Sequence, residues 1–133
     1  MLRYMLDTNI CIYTMKNKPE EVRAAFSRHN GQMCISSVVA MELFYGAEKS
    51  VRAKEALAGV ESFIARLIVL DFTPEAAAHA AQIRAELQKQ GKTIGPYDNM
   101  IAGHARSEGL VLVSNNLKEF ERVDGLRLEN WVG

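Results

Sequence analysis

The sequence predicts an α/β domain in three αβα layers around a central, mainly parallel sheet of four to five strands. Two observations carry this. Short apolar runs alternate with longer stretches of helical periodicity, the pattern of repeated βαβ units whose parallel sheet is covered by helices on both faces. The chain is also of single-domain size: 133 residues, 48% hydrophobic and 24% charged, with no repeat, linker or low-complexity tract, so one domain is expected over 1–133. A disordered chain would be poorer in apolar residues.

Leu2 to Leu6 is a buried strand that ends in Asp7-Thr8-Asn9, and a helix begins within Asn9 to Met15. Asn17-Lys18-Pro19-Glu20-Glu21 starts a second helix, with Pro in the first turn and acids near the positive end of the dipole. It runs to about His29, and Asn30-Gly31 stops it. Met33 to Ile35 is the second strand, and Ser36-Ser37 caps a helix through about Lys49. Leu57, Val60, Ile64 and Leu67 recur at helical spacing, which predicts an amphipathic helix over 51–67. Ile68-Val69-Leu70 is the third strand. Thr73-Pro74-Glu75 opens a helix with Ala76, Ala80, Ile83 and Leu87 inward, ended by Gly91. After a loop over 92–96, a helix runs from Tyr97 to about Glu108. Leu110 to Val113 is the fourth and most hydrophobic strand, followed by a short helix over Lys118 to Arg122 and an edge strand at Arg127-Leu128.

Charge and cysteine content narrow the function. Sixteen basic and 16 acidic residues leave a formal charge of +0, unlike a sequence-nonspecific nucleic-acid binder, though a local basic face stays compatible. Cys11 and Cys34 lie in apolar segments without CxxC spacing, so they read as buried free thiols and give no support for zinc. The opening Met1 to Asp7 lacks the charged region and long apolar run of a signal peptide, and no stretch approaches a membrane span. A cytoplasmic protein with no membrane partner is expected.

In parallel α/β sheets, sites form beyond the carboxyl ends of the strands, near a topological switch point. Asp7 and Asn116 lie past the first and fourth strands, Glu42 in the helix after the second, and Asp98 in the first turn of the helix before the fourth. Each has a plain structural alternative. Asp7 could form a turn, Asp98 could serve a helix N-terminus, and Glu42, among apolar neighbours, could pair with a buried Arg or Lys. If the acids converge, a cation is favoured. Two unit charges ~4 Å apart repel by about 4 kcal/mol at an effective dielectric near ~20. All-oxygen donors suit Mg²⁺ or Mn²⁺. His104 is turned some ~240° from Asp98 on its helix and does not join the set. His29 and His79 read as helix-surface residues.

At this point the motifs resemble those of a known family. Met5-Leu6-Asp7-Thr8-Asn9, Ser36-Ser37-Val38-Val39-Ala40-Met41-Glu42-Leu43 with Tyr45-Gly46-Ala47, Gly95 to Ala105, and Val113 to Phe120 resemble, in order, the four motifs of PIN domains. The nearest resemblance is to VapC toxins of toxin–antitoxin pairs. It implies a PIN-like domain and a metal-dependent endoribonuclease. Asp7, Glu42 and Asp98 would be the catalytic, metal-binding acids. Asn116, where many PIN domains have Asp, would orient water. Thr8, Asn9 and Ser114 would support the carboxylates by hydrogen bonds.

The resemblance further implies Mg²⁺ or Mn²⁺ as cofactor and an RNA substrate, tRNA cut in the anticodon stem-loop, with initiator tRNA a candidate. A VapB-type antitoxin would block the groove, the toxin would form a homodimer in a larger complex, and operator DNA would be contacted through the antitoxin. Lys16, Lys18, Lys89, Lys92, Arg106 and Lys118 are candidates to hold the polyanion, and Tyr97 to stack on a base. Three rivals stand beside this reading. A phosphotransfer domain would want a second acid where Asp7-Thr8-Asn9 has none; a degenerate binding module would have lost acids that this chain keeps; a housekeeping PIN nuclease would share the site.

Overall fold

The computed structural model describes residues 1–16 and 19–132. Its elements run β1 (Tyr4–Leu6), α1 (Thr8–Lys16), α2 (Glu20–Arg28), β2 (Met33–Ser36), α3 (Ser37–Glu48), α4 (Ala53–Ile64), β3 (Ile68–Leu70), α5 (Pro74–Lys89), α6 (Pro96–Ser107), β4 (Val111–Val113), α7 (Leu117–Phe120) and β5 (Leu128–Glu129). The strands form one five-stranded sheet in the order β3-β2-β1-β4-β5, and every pairing is parallel. The chain steps outward from β1 to β3, returns across the sheet to β4, and steps outward again to β5. The right-handed crossovers that parallel strands favour would place α1–α4 on one face and α5–α7 on the other, in keeping with αβα layering. The reversal of direction falls between β1 and β4.

Burial follows the same plan. Every residue of β1, β2 and β4 is buried, which is why these strands read as continuous apolar runs. The edge is less covered, with Ile68 of β3 51% exposed. Met5, Leu6, Ile10, Ile35 and Leu112 lie in the core with no exposure. Cys11 and Cys34 are buried free thiols, as expected, and the Cys34 Sγ donates to the Tyr4 carbonyl at 3.4 Å.

The helix starts match the sequence signals. Ser36 Oγ caps α3 by accepting from the Val38 N–H at 3.1 Å, and Thr73 Oγ1 caps α5 by accepting from Ala76 N–H at 3.1 Å. Helices α5 and α6 touch backbone to backbone: a Cβ at Gly103 would lie 2.6 Å from the Ala80 nitrogen, so only glycine fits. Asn99 Nδ2 donates to the Ala80 carbonyl at 2.8 Å and fixes the start of α6. Several boundaries differ from expectation, among them the last short helix, Leu117–Phe120 and not Lys118 to Arg122. The helix foreseen over 51–67 spans Ala53–Ile64, because Ser50 Oγ accepts from Arg52 N–H in a turn before it and 65–67 close a turn after it. The last strand is shifted by one residue, its register pairing Val113 with Glu129. No helix among the described residues is long and apolar enough to cross a membrane.

Candidate active site

Asp7 and Ser114 are the first residues past β1 and β4, and both are buried. The ladder continues to them, with Asp7 N–H donating to the Val113 carbonyl at 3.0 Å. The Asp7 carboxylate is held at both ends. Oδ1 accepts from Ile10 N–H at 3.0 Å, capping α1, and Oδ2 accepts from the Ser114 hydroxyl at 2.5 Å. Burial raises its pKa; the Ser114 and Ile10 bonds pull the other way, and the Glu42 charge adds to the rise.

Glu42 is half-buried on α3 and accepts from the Thr8 hydroxyl at 2.7 Å. Its partner is a hydroxyl from the start of α1, and no Arg or Lys pairs with it among the described residues. The salt bridge present among the described residues, Arg52 to Glu55 at 3.6 Å, is exposed on α4. Asp98, in the first turn of α6, is pushed up to about 7, first by burial and then by the charges of Glu119, Asp7 and Glu42. The three sequence-predicted acids thus converge in one electrostatic environment.

Glu119 makes a fourth carboxylate, and sequence reading did not single it out. Its Oε1 accepts from Gly95 N–H at 2.8 Å, tying α7 to the loop that delivers Asp98. Its Oε2 accepts from Asn116 Nδ2 at 2.6 Å. The available signal was the Asn116-x-x-Glu119 spacing at a helix start, which resembles a capping box. Asn116 accordingly spends its amide on Glu119, while its backbone N–H donates to Ser114 Oγ at 2.9 Å. Thr8 and Ser114 support carboxylates through their hydroxyls. Asn9 is exposed and reaches Asp7 through its backbone N–H.

The basic candidates divide. Lys16, Lys89, Lys92 and Lys118 are exposed, and Lys18 lies outside the described residues. Arg106 is a correction: its guanidinium is bound within the domain. Nε donates to His79 Nδ1 at 2.9 Å, Nη1 to the Asp124 carbonyl at 2.8 Å and Nη2 to Gln82 Oε1 at 2.5 Å. It stitches α6 to α5 and the turn before β5, and all three of its nitrogens donate within the domain. Tyr97, beside Asp98, is 48% exposed.

The donor set fits a hard divalent cation by chemistry and by charge: carboxylates and hydroxyls, acids whose charges act together on Asp98, and no basic side chain paired with them among the described residues. Among the described residues no three His, Cys, Asp or Glu groups stand at ready-made ligating separation.

A parallel sheet of this order, with carboxylates gathered past its central strands, defines a PIN-type domain, and the PIN domain family model matches residues 4–126. The chain belongs to that family and, within it, to the VapC ribonucleases. It is 60% identical over 131 residues to the tRNA(fMet)-specific endonuclease VapC of Shigella flexneri, covering 98% of this chain and 99% of that one. It is 58% identical over 132 residues to ribonuclease VapC2 of Haemophilus influenzae, covering 99% and 100%. Among solved structures, DNA-bound VapBC from Salmonella typhimurium superposes with a TM-score of 0.95 at 59% identity, covering 99% of this chain and 100% of that one. Nucleases of the family are in general dependent on a divalent metal.

Proposed function

We propose that this chain is the toxin of a VapBC pair, a Mg²⁺-dependent endoribonuclease that hydrolyses tRNA in the anticodon stem-loop, with initiator tRNA as the substrate. The observation that carries the reading is a cluster of carboxylates around Asp98 at the β1/β4 switch point, with no basic side chain paired to them among the described residues. The 60% identity to a tRNA(fMet)-specific endonuclease supports the choice of RNA. Residues 1–133 are read as one PIN domain, working in the cytoplasm where that RNA is.

Asp7, Glu42 and Asp98 are the groups that would hold the cation, with Mn²⁺ able to replace Mg²⁺. A divalent ion there supplies the charge that activates water and offsets charge growing on the phosphate. The chain's own part is orientation. Ser114 and Ile10 fix the Asp7 oxygens, Thr8 fixes Glu42, and Asn116 holds Glu119 beside Asp98. Exposed Lys16, Lys89, Lys92 and Lys118 would neutralise RNA phosphates around the acidic centre. A VapB-type antitoxin is the partner, covering the groove of a toxin homodimer and contacting operator DNA. The DNA-bound VapBC complex of the Salmonella relative supports that assembly.

Purified chain incubated with initiator tRNA and Mg²⁺ should cut once in the anticodon stem-loop, as mapped by the new 5′ end. EDTA should stop the reaction and Mg²⁺ or Mn²⁺ restore it. Asp7→Asn should lower the rate by about 10³-fold or more, the scale on which losing a group that acts in the transition state is felt. Undiminished cleavage by folded Asp7→Asn protein would contradict the assignment.

A further inference from the structure

His104 has no exposed surface, sits on the Asp98 helix, and has no part in the site described above. Its Nδ1 lies 2.7 Å from Ser36 Oγ, while its buried Nε2 has no hydrogen-bond partner. The Phe72 ring stands edge-on to the imidazole at 5.5 Å between centroids. A buried, unpaired polar nitrogen costs free energy. An apolar side chain of similar size would fill the space without that cost, so the role of this histidine lies with its other nitrogen.

Ser36 supplies the role. It ends β2 and caps α3, and its neighbour Ser37 accepts from Phe72 N–H at 3.1 Å, so the start of α3 is anchored on two sides. Among the described residues, the His104–Ser36 contact is the side-chain hydrogen bond that joins α6 to the β2–α3 segment. Glu42 follows Ser36 by six residues on α3, and Asp98 precedes His104 by six on α6. Each acid therefore stands ~9 Å along its helix from the same joint. Helices move as rods, so slack at the joint is carried to both carboxylates. Burial favours the neutral imidazole, against the charges of Glu108 and Asp71, so the joint is an uncharged hydrogen bond.

We propose that His104 is a positioning residue that, through Ser36, sets the spacing between Glu42 and Asp98 and thereby the grip of the site on a divalent cation. The proposal rests on the metal-dependent nuclease reading, and its test separates the two. With the full chain and Mn²⁺ alone as probe, His104→Phe should weaken Mn²⁺ binding, read by electron paramagnetic resonance, about ten- to a hundredfold. RNA cleavage should lose kcat by a similar factor while KM stays within about twofold. His104→Asn, whose amide reaches the Nδ1 position, should recover both quantities. A folded His104→Phe protein with wild-type Mn²⁺ affinity overturns the proposal, and so does His104→Asn protein no better than His104→Phe. If His104→Phe does not fold, Ser36→Ala removes the same bond and carries the test, with unchanged Mn²⁺ affinity as the overturning result. A wild-type chain that binds no Mn²⁺ sinks the nuclease reading and this proposal with it.

Discussion

At Asp7 each carboxylate oxygen has a donor, one from the backbone of α1 and one from Ser114, and the group is 5% exposed. At Asp98, a half-buried carboxylate on the opposite wall, the neighbours are other carboxylates, and the group is pushed up to about 7. One side of the pocket is organised by hydrogen bonds before anything binds. The other side stores repulsion that a divalent cation would relieve. A site built this way combines a fixed reference point with a charge deficit, which gives it geometry and affinity from different halves of the molecule.

Among changes that leave all four acids in place, the largest effect is expected from breaking the organised side. Ser114→Ala removes the donor to Asp7 Oδ2 and the acceptor of Asn116 N–H together. Metal affinity or cleavage rate should fall about ten- to a hundredfold, as for other hydrogen bonds that orient metal ligands. Rates equal to wild type in Ser114→Ala would show that Asp7 needs no fixing.

The repulsive side predicts a pH effect. Folding raises Asp98 from 3.8 to about 7, so folding favours its protonated form. Its contribution to the stability of the metal-free protein is full below the ordinary carboxylate value and is lost as pH rises through about 7. The melting temperature of the metal-free chain should therefore fall over that window, and saturating Mg²⁺ should flatten the fall. Glu119→Gln removes the largest of the charges acting on Asp98 and should move the midpoint to lower pH. A pH-independent melting curve, or an unmoved midpoint in Glu119→Gln, would erase the contrast between the two walls.

The smallest effect is expected at Thr8→Val, which takes the hydroxyl from half-buried Glu42. A loss of cleavage of only a few-fold, about 1 kcal/mol for one hydrogen bond, should appear in kcat. A loss as large as that in Ser114→Ala would place Glu42 with the organised side.

The layout of elements was legible because three strands are buried on both faces and so read as unbroken apolar runs, and because Ser36 and Thr73 are strong caps. The convergence of Asp7, Glu42 and Asp98 followed from the family motifs, while strand-end logic alone reached only Asp7 and Asn116. Glu119 escaped notice because it sits on a four-residue helix, where an acid three places after Asn looks like a terminus signal. Arg106 was misread as a surface cation because His79, Gln82 and the Asp124 carbonyl come from elsewhere in the chain. His104 was rightly kept off the Asp98 face, but its partner lies 68 residues away.

The Asp7–Ser114 bond spans 107 residues, and β1 lies between β2 and β4. The site cannot close before β1 and β4 pair, however early the individual helices form. The acids therefore depend for their geometry on a side-chain hydrogen bond that joins two distant parts of the chain.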